Sequence, residues 1–313
     1  MKKTIFFGSS NFSIPFIEYL NSKTSIQLVI TTEDKPKDRG KKLISNSVKS
    51  YVQGKNLSVI SPPSLKDPML IKNISNIEPD LIFVASYGKL IPLDILQIPK
   101  FGAYNIHPSI LPFYKGAEPI FWQLARGERK SGVTLFEMND KIDQGDIIFQ
   151  ENAEISEDDN YLSLEEKLIK IALNITGKMI DYLENDTPLP HTVQEKINTF
   201  YARKIDSKDE NVLWNDHGLD IINKIRAFAP RIGVYTLFKG KRIKILKAYL
   251  ENLQNEYRSQ KPGTIIINGK KLLVKCLDAL IRVESLKPEG KDLIKSIDFI
   301  NGYIKDNSSN YFE

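Results

Sequence analysis

Residues 4–31 read TIFFGSSNFSIPFIEYLNSKTSIQLVIT, and this stretch determines the predicted fold class. Two short apolar runs, Thr4 to Phe7 and Ile26 to Thr31, flank an amphipathic segment from Ser13 to Asn21. Buried strands separated by one helix-length segment are typical of a β-α-β unit, in which the strands are parallel and the crossover is right-handed. The N-terminal region is therefore predicted to have an α/β fold.

The same alternation continues beyond this unit. Further candidate strands lie at Ser58 to Ser61, Leu81 to Ser86, Ala103 to His107, Val133 to Met138 and Ile147 to Ile155, with further candidate helices at Ser45 to Gly54 and Pro119 to Arg126. The pattern predicts a Rossmann-like, mostly parallel sheet that binds ligands beyond the carboxyl ends of its strands. The first turn, Gly8-Ser9-Ser10, lacks the G-x-G-x-x-G spacing, so no dinucleotide site is predicted.

A long amphipathic stretch ends the first domain. It is predicted to be a helix from Ser163 to Glu184, with Ser163 as its N-cap and Glu166 as the capping-box partner. Residues 189–206 have little periodicity and are predicted to be a linker. We therefore expect a first domain over residues 1–188 and a second domain over residues 207–313.

The second domain is predicted to be mostly β after one helix from Gly218 to Phe228. Its candidate strands are Val234 to Phe238, Arg242 to Leu250, Gly263 to Ile267, Lys271 to Cys276 and Ala279 to Leu286. Short strands separated by glycine-containing turns pack naturally as a small antiparallel, OB-like β-barrel. Barrels of this type often bind nucleic acid.

The overall composition, 41% hydrophobic and 27% charged, is typical of a soluble globular protein. No apolar run approaches the roughly 18 residues of a membrane span, and the start of the chain does not resemble an export signal. The single cysteine, Cys276, has no partner for an intramolecular disulfide, which indicates a reducing compartment. We therefore expect a cytoplasmic protein without membrane contact, and a monomer, since nothing in the sequence demands an oligomer.

The net charge of +5 is unevenly distributed. Residues 201–313 contain 21 basic and 14 acidic residues, a net charge of +7, whereas residues 1–200 have a net charge of −2. Between Lys224 and Lys275 there are 13 basic residues and only two acidic ones. This asymmetry predicts a surface that meets a polyanion. The alternative is a solvated, lysine-rich face without a partner.

The densest polar motif lies between Gly102 and Asp146, which reads GAYNIHPSILPFYKGAEPIFWQLARGERKSGVTLFEMNDKIDQGD. Asn105 and His107 alternate along a predicted strand, so their side chains share one face. Asp140 and Asp143 flank a turn before Gly145, close to the end of another strand, where a carboxylate could reach the imidazole. An amide that holds an oxyanion, an imidazole that moves protons and a carboxylate that orients it are suited to acyl transfer.

Other roles for these residues stay open at this point. His107 could be a hydrogen-bonded structural histidine at a strand end, and Asp140 and Asp146 are expected to cap turns. The remaining histidines, His191 and His217, are expected to face solvent. No Cys/His cluster has metal-ligand spacing, so no metal is predicted.

These motifs resemble those of the 10-formyltetrahydrofolate-dependent formyltransferases. The matching segments are Asn105-Ile106-His107-Pro108-Ser109-Ile110-Leu111-Pro112, Tyr114-Lys115-Gly116-Ala117-Glu118-Pro119-Ile120, Gly132-Val133-Thr134 and Ile142-Asp143-Gln144-Gly145-Asp146. The resemblance implies that Asn105, His107 and Asp143 are catalytic. It also implies that 10-formyltetrahydrofolate is the formyl donor and that its site is lined by Ser109, Ile110, Leu111 and Pro112.

Three features outside this region favour the branch of the family that formylates the α-amino group of methionine carried by initiator tRNA. They are the opening Phe7 to Pro15, the basic loop Asp34 to Leu43, and C-terminal segments such as Tyr201 to Ile205 and Pro288 to Lys291. In the family this loop reaches the tRNA acceptor stem, which implies tRNA contacts for Arg39, Lys41 and Lys42. Lys241, Arg242 and Lys244 in the predicted barrel are expected to contact phosphates.

Two alternatives remain. One is an amino-sugar formyltransferase, which would use the same folate donor and the same three catalytic residues. The other is an RNA-binding protein that retains the fold without catalysis.

Overall fold

The computed structural model describes residues 1–37, 42–304 and 310–313. They form two compact units. The first contains residues 1–117, 131–154 and 165–202, and the second contains residues 118–130, 155–164 and 203–313. The domain boundaries expected at residues 188 and 207 stay a prediction.

The first unit is built on a seven-stranded sheet of order β5-β2-β1-β6-β7-β8-β9. The strands are β1 (Lys3–Gly8), β2 (Ser25–Ile30), β5 (Val59–Ile60), β6 (Leu81–Ala85), β7 (Ala103–His107), β8 (Lys130–Glu137) and β9 (Ile147–Glu154). Pairing is parallel from β5 through β7, and β8 runs antiparallel to β7. The predicted mostly parallel α/β sheet is confirmed. A separate antiparallel pair joins β3 (Lys35–Lys37) to β4 (Lys42–Ile44).

Both faces of this sheet are buried, as expected where crossover helices cover a parallel sheet. Ile5 and Phe7 of β1 point to one face and share a buried cluster with residues such as Ile74. Phe6 points to the other face, where its ring lies 6.2 Å from that of Phe83. Alternation of side chains along each strand therefore fills two apolar layers and leaves the strand ends for polar groups.

The α-helices before residue 185 lie between or after these strands along the chain, and the one at residues 119–125 belongs to the second unit. They are α1 (Ile14–Lys23), α2 (Ser47–Val52), α3 (Pro68–Ile77), α4 (Leu93–Leu96), α5 (Pro119–Ala125) and α6 (Tyr161–Glu184). The sequence pattern predicts all of them except α3 and α4. Pro68 stands at the first position of α3, where a missing N–H is not needed, and Asp67 caps the helix through Met69 N–H at 2.9 Å.

The start of α6 differs from the prediction. The helix begins at Tyr161, and the Asn160 side chain accepts the N–H of Leu162 at 2.9 Å. Ser163 is therefore not the N-cap; its hydroxyl donates to Asp159 at 2.8 Å. Asn160 is as good a capping residue as serine, and the capping-box pattern placed the N-cap three residues too late.

The second unit contains an antiparallel sheet of order β10-β11-β14-β13-β12, with β15 paired to β14. The strands are β10 (Val234–Phe238), β11 (Lys241–Asn252), β12 (Ile265–Asn268), β13 (Lys271–Lys275), β14 (Ala279–Pro288) and β15 (Ile294–Lys295), and the helices are α7 (Gly218–Phe228) and α8 (Ser296–Tyr303). The predicted antiparallel architecture and its five strands are confirmed. The sequence pattern did not reveal β15 and α8.

The last residues of the chain bridge the two edges of this sheet. The Glu313 N–H donates to the Leu237 carbonyl on β10 at 2.9 Å, and the Phe312 N–H donates to the Gly263 carbonyl next to β12 at 2.8 Å. Gly263 has φ +89°, and a Cβ there would overlap the Phe312 carbonyl oxygen. Residues 310–313 thus close the barrel-like arrangement that the turn spacing predicts.

Cys276 is buried in this unit, and burial raises the pKa of its thiol. In the described ranges 1–37, 42–304 and 310–313, no helix is long and apolar enough to span a membrane.

His217, just before α7, offers a test of the local electrostatics. Its Nδ1 lies 2.9 Å from Asp278 Oδ2, while Asp278 Oδ1 accepts the Gly218 N–H at 2.8 Å. The hydrogen bond and charge of Asp278 raise the pKa of His217 above its usual value. The pair therefore stabilises the fold below about pH 6.5, and this contribution is lost as the pH rises through the raised pKa.

Asp278→Asn keeps the acceptor for Gly218 and removes the charge, so we expect a lower His217 pKa in an NMR titration. We also expect the difference in unfolding free energy between wild type and variant to be larger at pH 6 than at pH 8.5. An unchanged His217 titration in the variant would contradict the pairing.

Candidate active site

Asn105 and His107 lie on β7, near the carboxyl end of the parallel strands. Asn105 pairs with Val84 of β6 and Phe136 of β8, and His107 pairs with Thr134. The His107 side chain is only 5% exposed. The Asn105 Oδ1 is buried without a hydrogen-bond partner among the residues that the structure describes. A buried amide oxygen left unpaired costs about 1–3 kcal/mol, which points to a role other than stability.

The ring of His107 has a defined proton arrangement. Its Nε2 lies 2.9 Å from the Tyr114 carbonyl oxygen. Because a carbonyl only accepts hydrogen bonds, Nε2 carries a proton, and Nδ1 is the nitrogen left to gain or lose one. Nδ1 lies 3.8 Å from Asp143 Oδ2, a distance for charge interaction rather than a direct hydrogen bond.

Asp143 is held in a tight loop. Its Oδ2 accepts the Gly116 N–H at 2.8 Å, and its backbone has φ +52°, in the left-handed region. A Cβ on Gly145 would overlap the Glu137 carbonyl oxygen, so only glycine allows the chain to pass there. A Cβ on Gly116 would lie 2.6 Å from the Ala202 carbonyl oxygen. The glycines of both motifs are thus required by close backbone approaches that bring Asp143 toward His107.

The segment predicted to line the folate site forms a braced loop. Thr134 Oγ1 donates to the Ser109 carbonyl at 2.7 Å and accepts the Leu111 N–H at 3.1 Å. Gln150 Nε2 donates to the Leu111 carbonyl at 3.0 Å. Ser109, Leu111 and Pro112 are buried, and Ile110 is half-buried. These residues shape the loop beside His107, and their contact with folate stays a prediction.

Several groups that support the site carry no sequence signal. The Tyr114 carbonyl and the Gly116 N–H are backbone groups, and Gln194 lies in the segment predicted to be a linker. Burial lowers the pKa of the Lys115 ammonium, while the charge of Asp143 opposes this effect. Asp140 is exposed, and Asp146 Oδ2 lies 4.0 Å from the Nδ1 of His191. Both histidines expected to face solvent, His191 and His217, are exposed.

The predicted RNA-contacting residues fall in two places. Arg39 and Lys41 lie outside the described residues, and Lys42 is the first residue of β4. Lys241 and Arg242 are exposed on β11, and the Arg242 guanidinium lies 4.0 Å above the Tyr235 ring. Lys244 donates to the Ile232 carbonyl at 3.0 Å, which leaves it less free for a phosphate. Their contact with tRNA stays a prediction.

The fold and the site define a class of acyl-transfer enzyme, and comparison with family models identifies it. The chain belongs to the formyl transferase family: residues 2–178 match the formyl transferase model, and residues 204–304 match the model of the formyl transferase C-terminal domain. Within the residues that the structure describes, no group of His, Cys, Asp and Glu has the arrangement of a metal site.

Two relatives matched over nearly the full length are both named methionyl-tRNA formyltransferase. The chain is 33% identical over 303 residues to the methionyl-tRNA formyltransferase of Fusobacterium nucleatum subsp. nucleatum, covering 96% of each chain. It is 36% identical over 303 residues to the methionyl-tRNA formyltransferase of Carboxydothermus hydrogenoformans, again covering 96% of each chain.

Solved structures share the fold at lower identity. The sugar 3N-formyl transferase WlaRD matches 93% of this chain and 99% of its own at 23% identity, with a TM-score of 0.64. HypX from Aquifex aeolicus in complex with tetrahydrofolic acid matches 97% of this chain at 16% identity, with a TM-score of 0.63. This chain spans about half the length of HypX, 48%.

Proposed function

We propose that this enzyme transfers the formyl group of 10-formyltetrahydrofolate to the α-amino group of methionine on initiator tRNA, giving N-formylmethionyl-tRNA. The observation that carries the proposal is the buried, unpaired amide oxygen of Asn105 beside a histidine whose Nε2 proton is fixed by the Tyr114 carbonyl. These groups are suited to formyl transfer without a covalent enzyme intermediate.

The neutral amine attacks the formyl carbon, and negative charge develops on the formyl oxygen. Rotated toward the substrate, the Asn105 amide donates to that oxygen, and a donor aimed at a developing oxyanion stabilises the transition state more than the ground state. His107 Nδ1 moves the proton lost by the attacking amine toward N10, the leaving nitrogen of the folate. Asp143 stabilises the positive charge that His107 gains in this transfer.

The relatives from Fusobacterium nucleatum and Carboxydothermus hydrogenoformans match this chain across both of its domains. Both are named methionyl-tRNA formyltransferase, which supports methionyl-tRNA as the acceptor. The sugar formyltransferases share the fold at lower identity, so they support the architecture and not the acceptor. We further propose that the enzyme acts as a monomer in the cytoplasm, where charged initiator tRNA is found.

The test is formyl transfer from 10-formyltetrahydrofolate to purified methionyl-tRNA, with a nucleotide-linked amino sugar as the competing acceptor. We expect rapid formylation of the tRNA and none of the sugar, and loss of turnover in His107→Ala. Asp140→Ala, on an exposed residue of the same loop as Asp143, is the matched control and should keep wild-type turnover. Preferred turnover of the amino sugar would reject the proposed acceptor, and no transfer to either would favour a non-catalytic RNA-binding protein.

Among the described residues, some basic side chains of the second unit form ion pairs with carboxylates, and others do not. This difference gives a second prediction. Lys247 Nζ lies 3.1 Å from Glu284, and Lys271 Nζ lies 3.2 Å from Glu251. Lys241 has no such carboxylate partner in the described part of the chain, and Arg242 instead contacts an aromatic ring. A paired lysine gains less from a phosphate, because its own carboxylate must be displaced.

We therefore expect Lys241→Ala with Arg242→Ala to raise the KM for tRNA several-fold. The slope of log affinity against log salt should become shallower by about 1–2, since each phosphate contact contributes roughly 0.7–0.9. Lys247→Ala with Lys271→Ala removes the same number of charges and should change both quantities much less. Equal effects of the two double variants would show that only net charge matters.

A further inference from the structure

Gln194 lies between the two segments that match the family models, in the range predicted to be a linker. Its side chain is nevertheless buried, with the residue only 7% exposed. Its neighbours Val193 and Glu195 are exposed. A glutamine flanked by exposed residues and turned inward is expected to use its polar atoms there.

The amide of Gln194 holds the loop that carries Asp143. Its Nε2 donates to the Asp143 carbonyl at 3.1 Å and to the Gly145 carbonyl at 2.8 Å. Both acceptors are carbonyl oxygens, so the nitrogen of the amide must face them. The Oε1 atom is buried without a partner among the described residues. Gln194 thus leaves its oxygen without a hydrogen bond among these residues, while both N–H groups of its amide donate to the loop that carries Asp143.

The loop needs such support because of its backbone. Asp143 has φ +52°, a left-handed conformation that is unfavourable for a residue with a side chain unless its surroundings enforce it. The Gly116 N–H fixes the carboxylate, and Gln194 fixes the carbonyls on either side of Gln144. The segment is itself anchored at both ends, where Thr192 bridges to Ile147 and Ala202 bridges to Gly116.

We infer that Gln194 is a positioning residue for formyl transfer: it acts through Asp143 and sets the distance between that carboxylate and His107. This inference rests on the proposed function. It makes residues 192–202 part of the support of the active site rather than a passive connection.

Two variants of similar size remove the donor. Gln194→Glu replaces the amide by a group that, when ionised, only accepts hydrogen bonds, and Gln194→Met has neither donor nor charge. We expect each to lower kcat about 10- to 100-fold, because small misplacement of a catalytic group has effects of this size. The KM values for tRNA and for the folate should stay within about twofold, since the loss falls on the transition state. Glu195→Ala, on the exposed neighbour, should match wild type.

A double-variant cycle separates positioning from general damage to the fold. In the Asp143→Ala background the change at Gln194 should lower kcat by less than about twofold, because its target is gone. Full additivity, a wild-type kcat in both Gln194 variants, or a rise in KM alone would overturn the inference. Wild-type turnover and its loss in Asp143→Ala, measured in the same assay, show separately whether the proposed function holds.

Amide hydrogen exchange gives a readout that does not depend on activity. We expect faster exchange in Gln194→Glu and Gln194→Met at the Gly116 amide and in peptides covering residues 139–147, with unchanged exchange in the β1 and β6 core. Unchanged exchange at Gly116 and residues 139–147 would overturn the inference whatever the substrate proves to be.

Discussion

Asn105→Ala is expected to lower kcat on the order of 100- to 1000-fold, the loss typical for removal of one oxyanion donor. The KM values should change little, because the interaction forms only as charge develops on the formyl oxygen. The thermal unfolding midpoint should not fall, and it should rise if the unpaired Oδ1 is a net cost to the folded state. The measurements are steady-state kinetics with both substrates and a thermal melt of the same preparations.

Asn105→Asp is the matched variant for this experiment. It keeps the size and one oxygen but lacks the N–H groups, so its kcat should fall as far as that of the alanine variant. A large drop in stability accompanied by a modest drop in kcat would mean that Asn105 is structural. Activity of Asn105→Asp near that of wild type would exclude an oxyanion donor at this position.

Phe312→Ala is expected to lower the free energy of unfolding of the second unit by about 3–5 kcal/mol, the usual range for a fully buried phenylalanine. Phe312 is 1% exposed, and its ring centroid lies 5.8 Å from those of both Trp214 and Phe238. The segment that carries Phe312, residues 310–313, also bridges the two edges of the sheet, so a cavity at this position weakens packing and closure together. Urea unfolding followed by tryptophan fluorescence measures the loss, because both tryptophans lie in this unit.

Tyr311 provides the control for this prediction. It is the preceding residue and is 54% exposed, so Tyr311→Ala should change the unfolding free energy by less than about 0.5 kcal/mol. Similar losses in the two variants would indicate that the terminal segment contributes through its backbone alone. No loss in either would contradict closure of the sheet by residues 310–313.

Local patterns were sufficient for the seven strands of the main sheet and for five of the six strands of the second sheet. They were also sufficient to place two of the three predicted catalytic residues, Asn105 and His107, relative to each other. Strands β1, β2 and β6 of the main sheet are largely apolar because both faces are covered, and such runs are visible in the sequence. The placement of Asn105 and His107 on one face follows from the two-residue period of a strand. The helices α3 and α4 were missed, since their short apolar patterns lie among prolines.

Other features have no local signature. The Tyr114 carbonyl and the Gly116 N–H belong to the backbone, which looks the same in every residue. Gln194 lies 51 residues from Asp143 in the sequence, in a segment without periodicity. The separation of Lys247 and Lys271, which are ion-paired, from Lys241 also depends on which carboxylates the antiparallel register brings beside them.

The amino-acid order alone thus predicted the α/β and antiparallel β architectures and the concentration of positive charge, because these follow from residue type and short-range period. The catalytic roles of Asn105, His107 and Asp143 are implied by the family resemblance and stay a prediction. The tertiary structure decided which nitrogen of His107 is free, what holds Asp143, how the terminal residues close the second sheet and which lysines are neutralised. Those properties depend on contacts between residues far apart in the chain, and only the folded backbone brings such residues within hydrogen-bonding distance.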